Sequence, residues 1–133
     1  KGTGHAVKQC KQIINNIEGN LLILSGDVPL ITSTTLNTLI SAHQNNNSIA
    51  SFVTSNIQDP FGYGRIIRDN KNNFIKIVEH KDANEAELKI NEINAGIYIF
   101  DIKTLFNNNL CFTNDDNLVG SYWISCLVSS AST

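Results

Sequence analysis

A chain of 133 residues, 41% of them apolar, suffices for one small domain with an ordinary core. Its formal net charge of −2, with both signs scattered, gives no basic stripe for a nucleic acid polymer and no polybasic patch for a membrane surface. No apolar run approaches the roughly 20 residues of a membrane span; three widely spaced cysteines, Cys10, Cys111 and Cys126, mark neither a disulfide framework nor a metal-binding pair, so reduced thiols in the cytoplasm are the expectation.

The chain starts at Lys1 and enters at once into Gly2-Thr3-Gly4-His5-Ala6, which reads as a domain lacking its front. Over residues 5–17 the apolar positions Ala6, Val7, Cys10, Ile13, Ile14 and Ile17 keep the three-and-four spacing of one helical face. The glycines before it form either a site of close backbone approach, where free N–H groups favour an anion, or a flexible cap. Gly19 is a left-handed stop for this helix.

Residues 21–24, Leu-Leu-Ile-Leu, then run into Ser25-Gly26-Asp27-Val28-Pro29-Leu30. Four aliphatics before a Gly-Asp pair predict a strand buried on both faces of a parallel sheet, delivering Asp27 to the carboxyl edge where ligands bind; taken alone, an Asp that caps the next turn is the commoner case. A helix is predicted over about residues 33–43, with Leu36, Leu39, Ile40 and His43 on one stripe and His43 a helix-end residue rather than a ligand. Helix, short turn and apolar strand together suggest half of a parallel crossover unit.

Residues 48–55 read as a strand that leads into Asp59-Pro60-Phe61-Gly62-Tyr63-Gly64-Arg65-Ile66. Two glycines around a tyrosine indicate either a plain turn or a backbone closely approached by another group. Arg65 to Arg68 and Phe74 to Val78, separated by Asp69-Asn70-Lys71-Asn72-Asn73, form a predicted antiparallel hairpin ending in Glu79, which shares a face with Ile75 and Ile77. Asp82 with Glu85 resembles a capping box. Asn94-Ala95-Gly96 precedes an apolar strand over residues 97–100, and Asp101 caps a helix containing Leu105 and Phe106. Residues 107–117 are asparagine-rich and turn-prone, and residues 119–128 suit a helix or a strand.

Taken in order, Gly2-Thr3-Gly4-His5-Ala6, Leu24-Ser25-Gly26-Asp27-Val28-Pro29-Leu30, Asp59-Pro60-Phe61-Gly62-Tyr63-Gly64-Arg65-Ile66, Ile77-Val78-Glu79-His80-Lys81-Asp82-Ala83 and Glu92-Ile93-Asn94-Ala95-Gly96-Ile97-Tyr98 resemble the uridyltransferase domain of the bacterial bifunctional N-acetylglucosamine-1-phosphate uridyltransferase / glucosamine-1-phosphate acetyltransferases. The likeness is best over residues 2–100, with 107–133 divergent. It implies an α/β, Rossmann-like nucleotidyltransferase (nucleotide-diphospho-sugar transferase) fold, incomplete at both ends. The implied reaction is attack of N-acetylglucosamine-1-phosphate on the α-phosphorus of UTP, giving UDP-N-acetylglucosamine and pyrophosphate in the cytoplasm with Mg²⁺ present. Gly2, Thr3, Ser25, Gly26 and Asp27 would contact the nucleotide, Asp27 would hold Mg²⁺, and Gly64, Glu79 and Asn94 would line the sugar pocket. None is a covalent nucleophile, so direct displacement is implied.

The sequence also departs from the pattern. The family's glycine-rich loop with its Arg and Lys, the asparagine that completes the metal site and the β-helix acetyltransferase domain are not in this stretch; Ser25 stands where a tyrosine is common, and Gly120-Ser121-Tyr122-Trp123-Ile124-Ser125-Cys126 lacks two acidic residues of the corresponding run. Removing one preorganised donor can slow such chemistry by about 10²–10³. The expectation is a domain weakly active or inactive alone, helped by a separate chain that carries the loop. A non-catalytic remnant or sugar-nucleotide-binding module is the alternative, and a related enzyme for another base or sugar a minor one.

Overall fold

A computed structural model describes residues 3–14, 16–26 and 31–107. The order is α1 (Thr3–Ile14), β1 (Asn20–Leu24), α2 (Ser33–Asn45), β2 (Ala50–Asn56), β3 (Arg65–Arg68), β4 (Phe74–Val78), a 3-10 turn (His80–Asp82), α3 (Glu85–Leu88), β5 (Glu92–Asp101) and α4 (Ile102–Asn107). Gly2, Asp27, the Val28-Pro29 turn and residues 108–133 lie outside the described residues, and with them the asparagine-rich stretch and the 119–128 segment.

The five strands form one sheet built around β5. All the strand pairings found are antiparallel, which corrects the expected parallel sheet. β1 and β2 do run the same way, since each is antiparallel to β5, and α2 crosses over between them. What the helix-turn-strand pattern could not reveal is that β5, some forty residues further along the chain, inserts between the two.

Both β1 and β2 pair with Ile99 and Phe100, so they occupy opposite edges of β5. β2 continues along its edge to Asn94, Ile93 and Glu92, so the pairing of Arg65 with Ile93 uses the edge that β1 also uses. β1 and β3 are therefore aligned end to end along one side of β5.

Two apolar clusters cover the two faces. On one, Leu21, Ile23, Phe52, Ile66, Ile77, Tyr98 and Phe100 pack with Val7 and Ile14 of α1 and with Ile102, Leu105 and Phe106 of α4. On the other, Leu22, Val53, Ile97 and Ile99 meet Leu36, Leu39 and Ile40 of α2. This is the period-two division of strand side chains between two helical layers. β1 is less enclosed than four aliphatics suggest: its residues are half-buried or exposed, Leu24 44% exposed, because among the described residues β5 is its one strand neighbour.

Local signals hold in part. Thr32 caps α2, its hydroxyl accepting from Thr35 N–H, and Asp101 caps α4 by accepting from Thr104 N–H at 2.7 Å. The capping box is displaced from Asp82 to Asn84, whose side chain accepts from Glu87 N–H while the Glu87 carboxylate accepts from Asn84 N–H. The α1 stripe is narrower than its spacing predicts: Val7 is buried and Ile14 packs on the core, whereas Ala6, Cys10, Ile13 and Ile17 are exposed. Gly19 does adopt positive φ, but in the loop beyond the helix end.

Candidate functional site

End-to-end alignment of two strands on one side of β5 forces both chains to leave the sheet at the same place. Ser25, just past β1, donates its N–H to Gly96 O at 2.9 Å; Gly64, just before β3, accepts from Asn94 N–H at 2.9 Å. The gap between them faces residues 94–96 of β5, and the loop of residues 57–63 that precedes Gly64 ends at it. The carboxyl end of β1 opens onto this gap, and ligands of open α/β sheets bind outside the carboxyl ends of strands.

The pairing of β5 is irregular at this gap. Gly96 has φ of 72°, its N–H is accepted by Asn94 Oδ1 at 3.1 Å, and the pairing with β2 shifts register between Phe52 and Thr54. An Asx-type turn followed by a left-handed glycine is a local way to kink a strand. The expected strand over residues 97–100 is thus the second half of a longer strand that starts at Glu92 and includes the Asn-Ala-Gly step.

Three of the residues assigned to a sugar pocket meet here. An added Cβ at Gly64 would lie 3.6 Å from both carboxylate oxygens of Glu79 and 2.9 Å from Ile77 Cγ2, so the glycine is a close approach rather than a left-handed turn, a role that falls to Gly62 with φ of 83°. Asn94 is half-buried, and its Nδ2 donates to Tyr98 Oη at 2.6 Å. With Oδ1 taken once and Nδ2 once, one lone pair and one N–H of Asn94 remain for a ligand. The Glu79 carboxylate is half-buried and has no hydrogen bond or ion pair among the described residues, leaving its acceptors unspent.

Of the residues assigned to the nucleotide, Ser25 is half-buried beside the gap and Gly26 exposed, with open space where a Cβ would stand. Thr3 is the first residue of α1; Gly2 and Asp27 lie outside the described residues. Among the described residues no group of three His, Cys, Asp or Glu side chains could hold a metal ion, and no helix is long and apolar enough to cross a membrane.

Four residues at the site were not anticipated. Tyr98 and Gly96 position Asn94 from within β5, and Arg65 and His80 lie immediately behind Gly64 and Glu79. The Asn-x-Gly spacing inside an apolar strand was a usable signal for the first pair; the second pair is created by hairpin pairing and has no local signature. His43 lies in the last turn of α2, as expected, and is buried there, 2% exposed with Nδ1 2.9 Å from Ser51 Oγ. It borders a polar cavity of about 370 Å³ near Asn20, Asp101 and Thr104, at the end of β1 away from the gap.

A nucleotidyl transferase family model matches residues 1–119. In sequence the chain is similar to the bifunctional protein GlmU of Streptococcus uberis, 47% identical over 128 residues, and to that of Streptococcus pyogenes serotype M12, 46% identical; each alignment takes in 96% of this chain. The chain spans 28% and 30% of the length of these curated relatives. Among solved structures, a protein of Bacillus anthracis described as a glucose-1-phosphate thymidylyltransferase, in complex with a sucrose, superimposes with a TM-score of 0.61 at 21% identity, covering 82% of this chain and 40% of that one. An apo UDP-glucose pyrophosphorylase gives 0.58 at 18% identity, covering 98% and 49%; these two likenesses show the fold alone. With the family model covering most of its length and an α/β fold shared with sugar nucleotidyltransferases, the chain belongs to the nucleotidyl transferase family.

Proposed function

We propose that the gap at residues 94–96 is the sugar-nucleotide site of an N-acetylglucosamine-1-phosphate uridyltransferase, converting UTP and the sugar phosphate to UDP-N-acetylglucosamine and pyrophosphate. The observation that carries this reading is the convergence on one gap of Gly64 just before β3, Glu79 just after β4 and Asn94 within β5. A sugar offers hydroxyls and an amide, all donors and acceptors, and these groups answer it: an unspent carboxylate takes hydroxyl protons, and the Asn94 amide has one donor and one acceptor left. Ser25 and Gly26, beside the gap, bind the nucleotide, with Gly2 and Thr3 as further contacts.

The reaction forms a bond between a phosphate oxygen of the sugar phosphate and the α-phosphorus of UTP and breaks the bond to pyrophosphate. No side chain forms a covalent intermediate; the chain's work is to hold two polyanions in line. The donor chemistry suits Mg²⁺, because Asp27, two residues past Ser25, supplies a hard carboxylate oxygen, and the ion when bound would offset phosphate charge. Use of UTP fits a cytoplasmic setting.

Calorimetric titration of UDP-N-acetylglucosamine into this chain tests the reading. Saturable binding that falls at least tenfold in Glu79→Ala and in Asn94→Ala is expected. Absence of saturable binding, or affinity indifferent to both substitutions, would refute it. Pyrophosphate release from UTP and N-acetylglucosamine-1-phosphate then distinguishes an enzyme from a binding module.

A further inference from the structure

Arg65 is an unusual occupant of a strand interior. It is 2% exposed, its Nε has no hydrogen-bond partner, and among the described residues no carboxylate lies within ion-pair distance. A buried guanidinium without a counter-charge is destabilising, and an apolar side chain of similar length would suit the burial better. The two contacts it does make are therefore informative. Nη1 donates to the carbonyl of Tyr63, and Nη2 lies 3.4 Å from Nδ1 of His80.

Tyr63 is the residue before Gly64, and His80 is the residue after Glu79. Side chains alternate along a strand, so Arg65, opposite Val78 and Ile93, projects from the face that Gly64 and Ile77 do not use. A guanidinium only donates, so this contact is a hydrogen bond in the tautomer whose Nδ1 accepts. The ring also meets Phe61 edge to face, centroids 4.5 Å apart at 62°. The fork geometry of the guanidinium lets one side chain fix two groups at a set separation, which a lysine ammonium does not do.

We propose that Arg65 is a positioning residue for the sugar pocket, acting from behind the sheet: by tying Tyr63 to His80 it holds Gly64 and Glu79 at the separation the sugar requires. This rests on the sugar-nucleotide reading of the gap for its functional consequence, but not for the brace itself. The brace touches neither Ser25 nor Gly26, so it governs recognition of the sugar and leaves the nucleotide half alone.

The test titrates UDP and UDP-N-acetylglucosamine into the wild-type chain and into Arg65→Met, His80→Phe and His80→Gln. His80→Phe keeps a ring against Phe61 and removes the acceptor; His80→Gln restores an acceptor without the ring. Affinity for UDP-N-acetylglucosamine should fall at least tenfold in Arg65→Met and His80→Phe while affinity for UDP stays within twofold, and His80→Gln should recover most of the loss. Equal losses for both ligands, or wild-type affinity throughout, would overturn the proposal. Amide resonances give a ligand-free readout: those of Gly64 and Glu79 should move in Arg65→Met and His80→Phe and return toward wild type in His80→Gln. If the wild-type chain binds neither ligand, the sugar-nucleotide reading fails, and unmoved resonances would then overturn the brace as well. Should Arg65→Met not fold, His80→Phe, at a half-buried position, decides.

Discussion

Replacing Gly64 with alanine places a Cβ 2.9 Å from Ile77 Cγ2, where two carbons prefer about 3.5–4.0 Å. The shortfall, about 0.6–1.1 Å on that scale, falls on a branch atom of a residue only 4% exposed, so neither side chain can swing away. Overpacking of this kind costs about 1–3 kcal/mol. The φ of Gly64 is not in the left-handed region, so alanine also restricts the unfolded chain and returns about 0.4–1 kcal/mol. Urea denaturation should therefore show a net loss of about 1–2 kcal/mol with an unchanged slope. The decisive measurement is a double-mutant cycle with Ile77→Leu, which removes the Cγ2 branch at under about 1.5 kcal/mol on its own. In that background Gly64→Ala should cost at least about 1 kcal/mol less. The same cost in both backgrounds, to within about 0.3 kcal/mol, would refute the contact as the reason for glycine.

Gly96→Ala should destabilise the chain by about 1–2 kcal/mol in the same assay, because a Cβ is disfavoured at φ of 72°. The Arg68 guanidinium meets Glu92 at 2.7 and 2.8 Å and, with a Thr54 hydrogen bond, holds the Glu92 carboxyl below its ordinary range. Its contribution is present above the unfolded value near 4.5 and is lost as pH falls through the lower folded value; Glu92→Gln should remove about 0.5–1 kcal/mol at pH 7, an allowance for solvent at a partly exposed pair, and flatten that acid loss. Burial lowers the His43 pKa against the opposing pull of Asp101. The unfolded chain then takes up a proton near pH 6.5 that the folded one resists, so stability falls as pH drops below about 6.5, and urea midpoints between pH 7 and 5.5 should depend less on pH in His43→Gln.

The residues alone specify most of the local structure: the cap at Asp101, the turn of the β3–β4 hairpin and the apolar stripe of α2 all depend on neighbours within a few positions, which periodicity and turn chemistry express directly. Pairing partners are not local. That β5 separates β1 from β2, that β1 and β3 share one edge, and that Asn94 thereby faces Gly64 follow from contacts tens of residues apart, and an apolar strand carries no mark of which strand it will join or in which direction. Motif order could name Gly64, Glu79 and Asn94, but the brace behind them could not be read in advance. Arg65 and His80 are brought together by hairpin register, and a buried arginine is indistinguishable in sequence from a solvated one.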